Sequence, residues 1–193
     1  SKMVTSAPMP VMVLGGGVVG LNAALMAMGM GADVTIFDRS LTRLKYIDEL
    51  YGDRLNTLYS TDEAIDQHLA TVDLVIGAVL IPGASAPKLI TRDELKIMEP
   101  GSVLVDVAID QGGCFETSKA TTHQDPTYEV EGIIHYCVAN MPGAVARTST
   151  FALTNATLAH AVQLANKGAA RAMLDDEHLL RGLNVHRGQV TYE

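Results

Sequence analysis

The run Gly15-Gly16-Gly17-Val18-Val19-Gly20 constrains this chain more than any other feature, because of what flanks it. Before it stands Val11-Met12-Val13-Leu14, a short apolar run that reads as a buried strand. After it Leu21, Ala24, Leu25 and Met28 recur at helical spacing until Gly29 and Gly31 stop the pattern. The run is therefore a G-x-G-x-x-G set between a strand and a helix. Gly15 permits a tight turn, Gly17 lets the backbone approach a phosphate without a Cβ in the way, and Gly20 allows helix and strand to pack closely. With Val18 and Val19 in its first turn, the helix offers free N–H groups and the positive end of its dipole to an anion.

The same rhythm continues along the chain. Asp33 to Asp38 reads as a second strand, Ser40 as the N-cap of a helix through Leu50, and Leu55 to Tyr59 as a third strand. Thr61 caps a short helix with Ala64, Ile65, Leu69 and Ala70 inward, ahead of a strand from Asp73 to Val79. A loop from Pro82 to Pro87, a short helix near Arg92 to Met98 and a strand from Val103 to Val107 follow. A long polar loop then leads to a last strand, Ile133 to Val138. Strands alternating with helices predict an α/β fold, a Rossmann-type doubly wound parallel sheet. Composition agrees: 48% hydrophobic residues against 5% aromatic is the aliphatic balance of buried parallel strands.

After Met141-Pro142-Gly143 the rhythm changes to a C-terminal helical tail. An Ala-rich helix is expected from Thr148 to about Lys167, a second through Leu180 beyond Gly168, and an irregular end with a turn at Gly188. The expected division is an N-terminal arm over 1–10, a Rossmann domain over 11–147 and a helical segment over 148–193. Ser1-Lys2-Met3 is set aside. A net charge of −8 argues against a nucleic-acid binder, which needs clustered Lys and Arg. Apolar runs are too short for a membrane span, and a cytoplasmic protein is expected. The two cysteines, Cys114 and Cys137, follow no metal-ligand spacing and read as small buried residues; no metal site is expected.

Asp38 ends the second strand at the separation from the glycines expected of the carboxylate that holds a ribose. It would repel a 2′-phosphate, so the expected cofactor is NAD and not NADP. Arg39 and Arg43 lie close enough to meet a phosphate, and Arg43 could equally flank the adenine. The alternative role for Asp38 is to cap the next helix. A second acidic residue, Asp110, stands in Asp106-Val107-Ala108-Ile109-Asp110-Gln111-Gly112-Gly113, just past a central strand, where open α/β sheets bind ligands. It is a site candidate or a turn cap onto Gly112-Gly113; spacing does not decide.

Leu14 to Gly20, Ile76 to Pro87, Pro100 to Cys114 and above all Tyr136 to Thr157 resemble the alanine dehydrogenases, and the likeness extends over nearly the whole chain from Val11. The resemblance implies NAD-dependent oxidative deamination of L-alanine to pyruvate and ammonia, or the reverse. It implies that Asp110 is the catalytic acid/base and also touches the cofactor. Asn140 and Met141 would lie beside the nicotinamide, Val79, Leu80, Val107 and Val138 along the cofactor groove, and Ser60 near the adenosine half. It further implies an N-terminal substrate domain supplying an Arg, a Lys and a His, which this chain is expected to lack, and a homo-oligomer, a hexamer in the complete enzyme. Arg147 is the one internal candidate for holding a substrate carboxylate. The chain departs from the family at Ala146, where Pro is usual, and at Gly168-Ala169-Ala170, where an aromatic residue often follows the glycine. Two alternatives are a non-catalytic NAD-binding module and the NAD-binding part of a proton-translocating transhydrogenase; Asn140-Met141-Pro142-Gly143 speaks against the second.

Overall fold

Four apolar residues in a row, Val11 to Leu14, can be buried only if both faces of their strand are covered, and they are. The computed structural model describes residues 7–80 and 86–191; Ser1-Lys2-Met3 and residues 82–85 of the expected loop lie outside that range. Strand β1 (Pro10–Leu14) leads into helix α1 (Val18–Gly29), and β2 (Asp33–Asp38), α2 (Leu41–Tyr51), β3 (Asn56–Tyr59), α3 (Asp62–Leu69) and β4 (Leu74–Gly77) follow. Next come β5 (Val103–Asp106), β6 (Thr127–Val130) and β7 (Ile133–Tyr136). The sheet runs β3-β2-β1-β4-β5-β7-β6, parallel except for β6.

Alternation along β1 divides the core. Val11 and Val13 pack with Ala24 and Ala27 of α1 and Ile47 of α2, whereas Met12 and Leu14 pack with Ile65 and Leu69 of α3. Chain order reverses at β1, whose neighbours are β2 and β4, so a crevice opens beyond the carboxyl ends of these strands. The expected caps form: Ser40 Oγ accepts from the Arg43 N–H at 3.2 Å and Thr61 Oγ1 from the Ala64 N–H at 3.2 Å. Each stabilises its helix by about 1 kcal/mol.

Several elements differ from expectation. The polar stretch before β7 contains β6, which pairs antiparallel to β7 across a Glu131-Gly132 turn with φ of 53° and 81°. Both central residues of such a hairpin turn sit at positive φ, and Glu at the first gives no sequence signal for it. The helix near Arg92 is only a 3-10 turn, Glu94–Ile97. Ladder pairing of the last strand stops at Tyr136, and Val138 is held instead by an isolated bridge to Thr121.

A second compact unit begins at Pro142, earlier than the expected change after Arg147. It holds α4 (Ala146–Lys167), α5 (Ala169–Asp175), α6 (Glu177–Arg181) and a hairpin of β8 (Val185–His186) and β9 (Gln189–Val190). The single expected helix through Leu180 is broken at Asp176, whose side chain accepts from the His178 N–H at 2.9 Å and so caps α6. The tail is not irregular, since Arg187-Gly188, with φ of 50° and 80°, closes a tight hairpin. No residue of α4 is buried. No described helix is long and apolar enough to cross a membrane.

Asp66 on α3 carries a testable cost. Its Oδ1 is shut from solvent with no hydrogen-bond partner among the described residues. Burial first, and then the Glu94 and Asp62 carboxylates, hold its carboxyl above the ordinary 3.8. A carboxyl raised in the folded state stabilises below its unfolded value and loses that contribution as pH rises through its folded value. Asp66→Asn is therefore expected to raise Tm at neutral pH and to lose the advantage below the carboxylate range. A Tm difference that is constant with pH would contradict this.

Candidate functional site

The turn after β1 is built from three glycines with different constraints. Gly15 adopts φ +99°, and a Cβ there would stand 2.8 Å from the Ala78 carbonyl oxygen at the end of β4. A Cβ on Gly20 would come within 1.8 Å of the Gly15 carbonyl oxygen, so close helix packing forbids any side chain. At Gly17 a Cβ would meet nothing within 4 Å among the described residues. Gly17 is also the N-cap of α1, which has no side-chain cap and no acidic residue in its first turn. The first-turn N–H donors thus carry uncompensated partial positive charge beside open space.

That space is a groove of about 490 Å³ lined by Gly15, Gly17, Val18, Val19, Asp38, Arg39, Ser60, Val79 and Leu80, among others. It joins the carboxyl ends of β2, β1 and β4. Asp38 Oδ2 accepts from the Gly16 N–H and Oδ1 from the Ser40 N–H, each at 2.7 Å. The two roles open for Asp38 are compatible, because a carboxylate has about four acceptor positions and the two backbone donors leave the others free. Arg43 points elsewhere than expected. Its Nε donates to the Gly16 carbonyl at 2.5 Å and its guanidinium lies 5.2 Å from the Tyr46 ring centroid, so Arg39 and not Arg43 lines the groove. Gly20 lies behind the turn as a packing residue.

The remaining candidates stand at the ends of the next two strands. Asp110 is exposed in the 3-10 turn Ile109–Gln111, which stops at Gly112 with φ +91°. Its carboxylate takes no hydrogen bond among the described residues; the turn is closed by backbone, Gly112 N–H to the Ile109 carbonyl at 3.0 Å. Val107 precedes it, half-buried. Val138 is fully buried, backbone and side chain alike. Asn140 is exposed at φ +55°, immediately before Met141 opens the 3-10 turn Met141–Val145.

Two residues that hold the Asp110 turn are invisible in sequence reasoning. Asp106 is fully buried, yet it accepts from the Ala108 N–H at 3.1 Å, the Cys114 N–H at 2.8 Å and the Ser118 hydroxyl. Three donors satisfy a charge that burial would otherwise penalise heavily. The only signal was a charged residue ending the apolar run Val103 to Val105. Lys88 Nζ donates to the carbonyls of Gly112 at 2.5 Å and Gly113 at 2.9 Å, a contact across the fold that no local pattern announces. Both cysteines are buried and free, as expected, and burial followed by the Asp106 charge pushes the Cys114 thiol up to about 11. Among the described residues no group of His, Cys, Asp and Glu is arranged to hold a metal ion.

Comparison with known proteins agrees with this geometry. The family model described as alanine dehydrogenase/PNT, C-terminal domain, matches residues 2–193. The alanine dehydrogenase of Halomonas elongata is 64% identical over 186 residues, covering 96% of this chain and 50% of its own. A solved L-alanine dehydrogenase superposes with a TM-score of 0.89 at 51% identity, over 96% of this chain and 51% of its own. The transhydrogenase of Sinorhizobium meliloti is more distant, with a TM-score of 0.69 at 27% identity over 96% of this chain and 50% of its own. The chain thus spans about half the length of the curated relatives it matches. From the glycine turn through the Asn140-Met141 segment to the helical tail, the chain belongs to the alanine dehydrogenase/PNT C-terminal domain family.

Proposed function

We propose that this chain is the cofactor-binding half of an NAD-dependent alanine dehydrogenase. The observation that carries the reading is the open side of Gly17 at an uncapped helix N-terminus, on the same groove as the Asp38 carboxylate. That donor set fits a dinucleotide: Gly15 to Gly20 hold the pyrophosphate, Asp38 the adenosine ribose, and Ser60, Val79 and Leu80 the walls. Val107, Asn140 and Met141 line the nicotinamide end. NAD supplies a hydride acceptor for the alanine α-carbon. Asp110, exposed and uncommitted among the described residues, takes the proton from the water that hydrolyses the resulting imine. The alanine carboxylate is bound by a further half, of the kind that gives the relatives about twice this chain's length. The segment 148–193 packs on that substrate domain, and the complete enzyme is a cytoplasmic homo-oligomer, a hexamer.

Calorimetry on the chain tests the reading. NAD is expected to bind more tightly than NADP, and Asp38→Ala to weaken NAD by about 2–3 kcal/mol while narrowing the difference, since two hydrogen bonds to a charged group are lost. Equal affinity for NAD and NADP in the unmodified chain would overturn the assignment of Asp38.

A further inference from the structure

Three non-glycine residues among those described have positive φ: Glu131, Asn140 and Arg187. Two of them precede a glycine at the tip of a hairpin, where the turn itself requires that conformation. Asn140 belongs to neither hairpin. It sits in the turn that follows β7 at the carboxyl edge of the sheet, between Ala139 and the 3-10 turn Met141–Val145, and its conformation there depends on the contacts its peptide makes.

The holding elements come from one segment, Thr121 to His123. The Thr121 N–H donates to the Cys137 carbonyl at 2.9 Å, and the Ala139 N–H donates to the Thr121 carbonyl at 3.1 Å, so this segment runs alongside the end of β7 as a short extra ladder. Beyond the ladder a further contact from this segment falls on the left-handed residue: His123 Nε2 lies 3.0 Å from the Asn140 carbonyl oxygen. A carbonyl can only accept, so Nε2 carries the proton, as it does in the imidazolium and in one of the two neutral tautomers. His123 is itself exposed and lies outside the core clusters. Its imidazole therefore acts on the Asn140 peptide with little part in folding.

We infer that His123 is a positioning residue, which fixes the Asn140 peptide in its left-handed conformation and so sets the nicotinamide end of the cofactor site. The inference rests on the cofactor reading above. Sheet order supports the division of the site into two ends. From Asp38 on β2 to Asn140 after β7 is four strand spacings, about 19 Å. His123 thus acts at the end remote from the ribose carboxylate and the glycine turn. It should influence only the part of the ligand that reaches β7.

ADP-ribose, which keeps the adenosine and pyrophosphate but lacks the nicotinamide, separates the two ends. Calorimetry with NAD and with ADP-ribose is run on the unmodified chain, H123A and H123Q. H123A is expected to weaken NAD roughly fivefold, the effect of one lost hydrogen bond, and to leave ADP-ribose unchanged. H123Q, whose amide can donate to the same carbonyl, is expected to recover most of the NAD affinity. Loss of both ligands together in H123A, or of neither, overturns the inference, as does failure of H123Q to recover. An unmodified chain that binds neither ligand overturns the cofactor reading and the inference with it, whereas one that binds both leaves a failure in H123A to count against His123 alone.

Discussion

Gly17→Val is expected to fold like the unmodified chain and to lose NAD affinity on the order of a hundredfold, about 2.7 kcal/mol. The fold should tolerate it because a Cβ at Gly17 meets nothing within 4 Å among the described residues and its φ of −63° is open to any residue. Stability should fall by no more than about 1 kcal/mol, the difference between glycine and a poor N-cap. The ligand should not tolerate it, because the branched side chain would occupy the space through which the first-turn N–H groups of α1 reach a phosphate. Charge-assisted hydrogen bonds are worth about 1.5–3 kcal/mol each, so displacing the pyrophosphate from even one or two of them produces the expected loss. Gly20→Val is the contrasting case: its Cβ would lie 1.8 Å from a backbone oxygen, and the variant should lose the fold together with the ligand. Calorimetry for NAD and a thermal melt on both variants separate these effects. Unchanged NAD affinity in a folded Gly17→Val chain would show that the pyrophosphate lies elsewhere.

The parts of this architecture that were legible in the sequence are those fixed by neighbours along the chain. The strand before Gly15, the helix after it, the caps at Ser40 and Thr61 and the strand ending in Asp38 each announce themselves within a few residues, and each formed. Illegible parts depend on contacts between distant residues. Arg43 was free to reach the groove or the adenine on sequence grounds, and only the approach of α2 to the glycine turn commits its Nε to Gly16. Val138 looked like a groove residue, but its side chain is buried in the core. The four-residue strand β6 escaped notice because its half-buried pattern is weak and its turn begins with Glu. Nothing local marks Lys88 as the clasp on Gly112 and Gly113. The glycine turn could thus be read early, while the support behind Asp110 and Asn140 could not.

By itself the chain is expected to oxidise alanine at close to the background rate, even with NAD saturating. Hydride transfer needs the α-carbon held against the nicotinamide, and such positioning accounts for about 7–11 kcal/mol of a barrier. An Arg fork or a Lys is the suitable clamp for the alanine carboxylate. The described cations around the glycine turn and the Asp110 turn are otherwise engaged or distant. Lys88 is on two backbone carbonyls, Arg43 is on the Gly16 carbonyl, and Arg39 lines the groove at the Asp38 side. Arg147, the internal candidate, has its guanidinium 5.8 Å from the Phe151 ring centroid within the second unit. Asp110 can serve the water but cannot clamp the alanine carboxylate, since two carboxylates repel. The measurement is NADH formation with saturating alanine, on the chain alone and after adding the separately expressed N-terminal half of a relative such as the Halomonas elongata enzyme. Activity that appears only on mixing would support a substrate clamp supplied by the other half. Rapid turnover by the chain alone would mean that its own residues hold the carboxylate, and Arg147→Ala would then be the first variant to assay.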